Sequence, residues 1–239
     1  PGNRSHEIID KGLDVLKHLG HRGACGCDPE TGDGAGILIQ IPHEFFAKVA
    51  KESRINLPKA GSYAVGMTFL PREGGPRHAS ENAVEAATAQ QQLKFLGWRN
   101  VPVNPPAIGM LSRQVMPVIK QFFIGATDSL IGKDFEKKLY LIRKEAEKIV
   151  TELAKAREQP AFQDFYVCSL SAKTVVYKGL VMAKQLRDFY PDLSDESTAT
   201  CFAIVHLRFS TNTLGSWKLA HPYRMIAHKD QQQANDRIG

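Results

Sequence analysis

The sequence predicts one mixed domain of the α/β or α+β kind. Two segments repeat apolar residues at helical spacing, several others are short β-rich runs bounded by Gly, Pro or Asp, and no repeat, low-complexity tract or linker divides the 239 residues.

Ile9, Leu13 and Leu16 fall on one helical face, widened by Ile8, Val15 and Leu19, which predicts a helix over 6–19 ended by Gly20. His21 to Gly36 is crowded with Gly, Asp and Pro and reads as loop. Ile37 to Ile41 follows as a short buried strand closed by Pro42. Phe45 to Lys51 predicts a short helix, Ser62 to Leu70 a strand, and Gly74-Gly75-Pro76 a turn into a helix over 80–96. Trp98 to Pro106 holds three prolines and reads as loop or edge strand, and Gln121 to Gly125 as a strand. Phe135, Leu139, Ile142, Ala146, Ile149 and Leu153 step by four and three, so 134–157 is predicted to be a core-facing helix. Two β-rich runs, Asp164 to Ser171 and Lys173 to Gly179, meet at Ser171-Ala172 in the pattern of a hairpin. A helix over Met182 to Phe189 and a strand over Cys201 to Phe209 complete the reading.

Composition narrows the function classes. With 43% hydrophobic and 23% charged residues, the chain has ordinary globular composition. Its formal charge of +6 is dispersed: the densest basic stretch, Lys133 to Arg157, is interleaved with Glu136, Glu145, Glu147 and Glu152. A solvated helix face is the reading, so no nucleic-acid partner is expected. No apolar run is long enough for a bilayer and no signal peptide opens the chain, so no membrane partner is expected and the chain is read as soluble. Cys25, Cys27, Cys168 and Cys201 are too few and too irregular for a disulfide framework, and a reducing compartment is expected.

Three segments invite chemistry. Gly32-Asp33-Gly34-Ala35-Gly36 could present amides to a phosphate, but it precedes a strand rather than opening a helix and has no Lys-Ser/Thr pair, so nucleotide binding is disfavoured. Cys25 and Cys27, with His21 near, could be half of a metal site, but the spacing is narrow and no second pair follows; they are read as loop cysteines, and no metal is expected. His206-Leu-Arg-Phe-Ser-Thr-Asn-Thr213 places Arg208 at a strand end, a carboxylate fork beside short hydrogen-bonding side chains. On its own that pattern stands evenly against a surface turn.

Together, His21-Arg-Gly-Ala-Cys-Gly-Cys, Thr31-Gly-Asp-Gly-Ala-Gly-Ile, Asp164-Phe-Tyr-Val-Cys-Ser-Leu-Ser, Thr174-Val-Val-Tyr-Lys-Gly, His206-Leu-Arg-Phe-Ser-Thr-Asn-Thr and His221-Pro-Tyr-Arg-Met-Ile-Ala-His resemble, in order, the class II glutamine amidotransferase domain of the glutamate synthases. The resemblance runs from about Ser5 to His228. It implies an amino-terminal-nucleophile hydrolase with a four-layer α-β-β-α sandwich, an α+β fold, here truncated at both ends. It implies L-glutamine as substrate and a synthase domain as partner for the released ammonia. FMN and an iron–sulfur cluster belong to the parent enzyme, with no cofactor expected in this segment. By resemblance, Arg208 holds the α-carboxylate of glutamine, Thr211 and Asn212 line the same pocket, Arg22 supports the nucleophile from its Arg-Gly loop, and His221 borders the site.

The resemblance also implies what is missing. The family's nucleophile is an amino-terminal cysteine whose own α-amino group is the base, and this chain starts at Pro1, downstream of it. After His228 the family continues with the Asn-Gly that forms its oxyanion hole, whereas here Lys229-Asp230 follows. The expected organisation is therefore a partial amidotransferase domain over 1–228 and an unrelated tail over 229–239. The expected function is a glutaminase domain, itself inactive, with a non-catalytic glutamine- or glutamate-binding or docking module as the alternative. Open sheet edges predict marginal stability or self-association. The compartment implied is the cytoplasm, or the plastid for a plant or algal source.

Overall fold

Helix α1 (Glu7–His18) forms where the apolar stripe predicts it, burying Ile9, Leu13 and Leu16. Acidic Glu7 and Asp10 stand in its first turn and basic Lys17 and His18 in its last, each complementing the helix dipole. The computed structural model describes residues 2–19, 30–127, 130, 132–208 and 215–223. In chain order there follow β1 (Ala35–Gln40), α2 (His43–Glu52), β2 (Tyr63–Leu70), α3 (Gly74–Gln90), β3 (Lys94–Asn100), α4 (Met110–Gln114), β4 (Val118–Gly125), α5 (Gly132–Arg157), β5 (Tyr166–Ser171), β6 (Thr174–Gly179), α6 (Leu186–Phe189) and β7 (Ala203–Leu207). The residues 183–185 expected to begin the helix before Phe189 form a 3-10 turn that runs into α6. Among the described residues, no helix is long and apolar enough to cross a membrane.

The strands form two antiparallel sheets, one of four strands in the order β3-β4-β2-β5 and one of three in the order β6-β1-β7. Mixed helices and antiparallel sheets make this an α+β fold, consistent with the amino-terminal-nucleophile hydrolase architecture. Side chains alternate across β2. Ala64 joins Phe122, Ile124 and Val167 under α3 and α5, where Phe135, Leu139, Ile142, Ala146 and Val150 complete one core. Tyr63, Val65, Met67 and Phe69 point the other way, into a larger core shared with Ile37, Ile39, Val175 and Tyr177 of the three-stranded sheet and the apolar stripe of α1.

Two expectations are corrected. Helix α3 starts at Gly74, so Gly74-Gly75-Pro76 is its first turn: those N–H groups have no intrahelical acceptor, and proline costs nothing there. It ends at Gln90, and residues 94–100, read partly as helix, are the edge strand β3, with a register shift between Phe95 and Gly97. The expected hairpin over 164–179 does not form a ladder. Strand β5 pairs with β2 and β6 pairs with β1, so the Ala172-Lys173 corner carries the chain from one sheet to the other. Across that corner the Val176 N–H donates to Ser169 Oγ at 3.1 Å.

A polar network ties the sheets together inside the larger core. Arg99 of β3 donates from Nη1 and Nη2 to the two carboxylate oxygens of Asp192, at 2.7 and 2.8 Å, and from Nη1 to Gln121 Oε1 at 2.6 Å. Tyr177 Oη donates to Asp192 Oδ2 at 3.0 Å and accepts from Gln121 Nε2 at 3.0 Å. Burial opposes the Arg99 charge, but the bonds it donates to Asp192 and the charge of that carboxylate hold its pKa above the ordinary value.

Candidate functional site

The site forms at one end of the three-stranded sheet, where β1 begins and both its neighbours end: Ala35 pairs with Gly179 of β6 on one side and with Leu207 of β7 on the other. One residue further in, Lys178, Gly36 and His206 lie abreast in a single row. The middle member has no side chain, and that absence makes a slot. A Cβ on Gly36 would stand 2.4 Å from the carbonyl oxygen of His221 and 2.6 Å from Lys178 Cβ, so the backbone of residue 221 occupies the place a side chain would need. The preceding glycine, Gly34, has φ of +126°, and a Cβ there would meet Ala220 Cβ at 2.9 Å. Two glycines of the run that could suggest phosphate binding, Gly34 and Gly36, thus let residues 220 and 221 lie against the start of β1.

Lys178 secures the same segment. Its side chain is 1% exposed, and Nζ donates to the carbonyls of Lys218 at 3.0 Å and Ala220 at 2.7 Å. Two rings flank the ammonium, Tyr166 with its centroid at 4.7 Å and Tyr223 at 5.0 Å. The backbone of residue 178 is held as well, its carbonyl accepting from Tyr190 Oη at 2.8 Å. Trp217, also buried, packs its ring on Phe69 and Phe189 and donates from Nε1 to Ser112 O at 3.2 Å.

The expected substrate residue Arg208 stands just beyond β7, 4% exposed, with its N–H donating to Gly34 O at 2.8 Å and Nη1 to Asp33 O at 3.4 Å. The strand therefore delivers the guanidinium to the head of the glycine loop. His221, expected at the border of the site, lies with its ring tilted against His206, centroids 4.5 Å apart, and against Tyr223 at 4.0 Å. Burial first, then the charges of His206, Lys178 and Arg208, push the His221 pKa down to about 3. Burial lowers that of His206 too. At neutral pH both imidazoles are neutral, and the fixed cations around them are Lys178 and Arg208. Arg208 and His221 are thus brought within electrostatic reach of each other. Arg22, Thr211 and Asn212 lie outside the described residues, as do Cys25 and Cys27.

Residue-level reading of the sequence overlooked Lys178, His206 and Tyr223 as parts of the site. The available signal was a lysine between apolar neighbours in Val175-Val176-Tyr177-Lys178-Gly179, a place where an unpartnered charge could not be buried.

The family model for class-II glutamine amidotransferases matches residues 1–233. The chain is 46% identical over 232 residues to the glutamate synthase [NADPH] large chain of Bacillus subtilis, covering 96% of this chain and 14% of that one. It is 39% identical over 231 residues to the glutamate synthase [NADPH] large chain of Azospirillum brasilense, covering 96% and 15%. It is 35% identical over 230 residues to ferredoxin-dependent glutamate synthase 2 of Synechocystis, covering 96% and 14%. The chain thus spans about one-seventh of the length of these curated relatives.

Proposed function

Because the chain belongs to the class-II glutamine amidotransferases, we propose that its described site is the substrate-recognition half of a glutaminase centre, with Arg208 receiving the α-carboxylate of L-glutamine. The observation that carries this reading is the buried Arg208 guanidinium, set at a strand end beside histidines that stay neutral, so that a carboxylate is the complementary ligand. Thr211, Asn212 and Arg22 complete the pocket in this reading, and His221 forms its wall. The reading assigns recognition, not amide cleavage, to these residues. Cys168 is fully buried and Cys201 donates from Sγ to Gln40 Oε1 at 3.2 Å. An internal thiol also has no α-amino group of its own to act as base.

The relatives are named as glutamate synthases; ammonia transfer to a synthase domain, for glutamate formation from 2-oxoglutarate, is what the family resemblance implies, and it belongs to such longer polypeptides. FMN and an iron–sulfur cluster fall to that same region. The described residues do not suit a cluster, since Cys168 lies inside β5 and Cys201 before β7, and no group of three or more His, Cys, Asp or Glu among them could hold a metal. Relatives from Arabidopsis and spinach carry "chloroplastic" in their names, so the compartment is expected to follow the source, plastid in a plant and cytoplasm in a bacterium.

Calorimetry with L-glutamine at millimolar concentration tests the assignment. Arg208→Ala is expected to weaken binding about a hundredfold, roughly 2–3 kcal/mol for a lost charge-assisted contact, and Arg208→Lys less, because it keeps the charge without the fork. No heat from the parent chain, or full affinity in Arg208→Ala, would overturn it. Glutamate release from glutamine above a protein-free blank would overturn the assignment of recognition without cleavage.

A further inference from the structure

Resting on the glutamine reading, we propose that Lys178 is a positioning residue of the pocket: it fastens residues 218–220 to β6 and so sets His221 on His206 beside Arg208. The row Lys178–Gly36–His206 supplies the geometry. Gly36 opens the slot that admits the His221 backbone, and Lys178, on one side of that slot, donates to the carbonyls of residues 218 and 220. His206, on the other side, takes the ring of His221 against its own. The segment that brings in His221 is thereby fixed at both flanks, by an ammonium on one and a tilted imidazole contact on the other.

A lysine is suited to this task for a physical reason. Main-chain carbonyls of a connecting segment need donors, and a buried ammonium supplies up to three in one place. Its charge is compensated by carbonyl dipoles and by the faces of Tyr166 and Tyr223. The same charge bears on the histidines. Among the described residues, the groups facing His221 include His206 and Arg208 from β7 and its end, Lys178 from β6, and Tyr223 from its own segment. A protonated His221 would be a third cation beside Lys178 and Arg208 and would be repelled by both, so the tether also keeps His221 a neutral hydrogen-bonding wall for the substrate.

The test uses the 239-residue chain with Lys178→Met, which keeps an unbranched side chain one atom shorter and removes donor and charge. Two quantities are read, glutamine affinity by calorimetry and the titration midpoint of the His221 ring by NMR. The expected result is at least tenfold weaker glutamine binding, together with a His221 midpoint raised from about 3 towards the ordinary 6.5. Affinity within twofold of the parent with an unmoved midpoint overturns the proposal, because a merely structural lysine would leave both unchanged in the molecules that fold. Should Lys178→Met fail to fold, Tyr166→Leu removes one of the two rings beside the ammonium and leaves its carbonyl bonds. It is expected to weaken glutamine two- to threefold, and unchanged affinity there overturns the proposal. A parent chain that binds no glutamine overturns the glutamine reading instead, and the positioning role then stands or falls on the His221 midpoint in Lys178→Met alone.

Discussion

Tyr177 and Lys178 are neighbours on β6, yet they serve two regions that handle buried charge in opposite ways. Tyr177 points into the larger core, where the Arg99 guanidinium meets the Asp192 carboxylate and Gln121 closes the set. Lys178 points to the other face, towards the end of the sheet, where its ammonium is met by carbonyls and tyrosine rings, with Arg208 and two neutral histidines near. A cation matched by a carboxylate is internally complete and has nothing left to offer a ligand. Among the described residues, the cations at the sheet end are met by carbonyl oxygens and aromatic rings, an arrangement whose field favours an anion. The difference separates a region that fastens sheets from the one proposed to receive glutamine.

The comparison breaks most visibly if the interior network proves dispensable. Asp192→Ala leaves Arg99 buried without its carboxylate and is expected to cost about 3–5 kcal/mol in urea unfolding. A loss below about 1 kcal/mol would show that water or a rearranged partner substitutes readily. A smaller effect distinguishes the regions by pH. The folded His221 pKa of about 3 lies below the ordinary 6.5, so the unfolded chain takes up a proton that the folded chain refuses as pH falls through that window. Its contribution to stability is complete above 6.5 and is lost progressively towards 3. Between pH 7 and pH 5 the expected loss is about 1 kcal/mol after discounting for partial exposure, measured as a lower unfolding midpoint. A stability profile flat across that interval would contradict the neutral histidine pair.

The smallest effect is expected on the rim. Strand β7 carries His206 on the row that faces the site, but among the described residues it is also a sheet edge, and Phe202 and Ile204 are 39% and 42% exposed. An open edge flanked by large apolar side chains favours pairing between copies. Ile204→Lys is expected to shift the chain towards monomer in sedimentation velocity while changing stability by less than about 0.5 kcal/mol. Association unchanged by the lysine would move the sticky surface elsewhere, for example to Tyr140 and Leu141 of α5, each 48% exposed.

Much of this was legible residue by residue. The stripes of α1 and α5 are local, and a period of 3.6 survives whatever packs against it. The resemblance placed Arg208 and His221 in the substrate site, and the structure brings those two together; Arg22, Thr211 and Asn212 fall outside the described residues. The hairpin misreading has a specific cause: two adjacent β-rich runs carry the same pattern whether they pair with each other or turn into separate sheets. The glycines of 32–36 carry a similar ambiguity, since sequence shows that side chains are absent but not what fills the space.

The sequence by itself determined the helices, most of the strands, the glutamine-handling family and the arginine at the strand end, because periodicity and ordered motifs are properties of the chain. Tertiary structure alone decided that Arg99 meets Asp192, that β5 and β6 part company, and that Lys178, Gly36, His206 and His221 form one cluster. Those contacts join residues far apart along the polypeptide. They arise only when two sheets close on a core, and no local pattern records which distant partner a buried charge will meet.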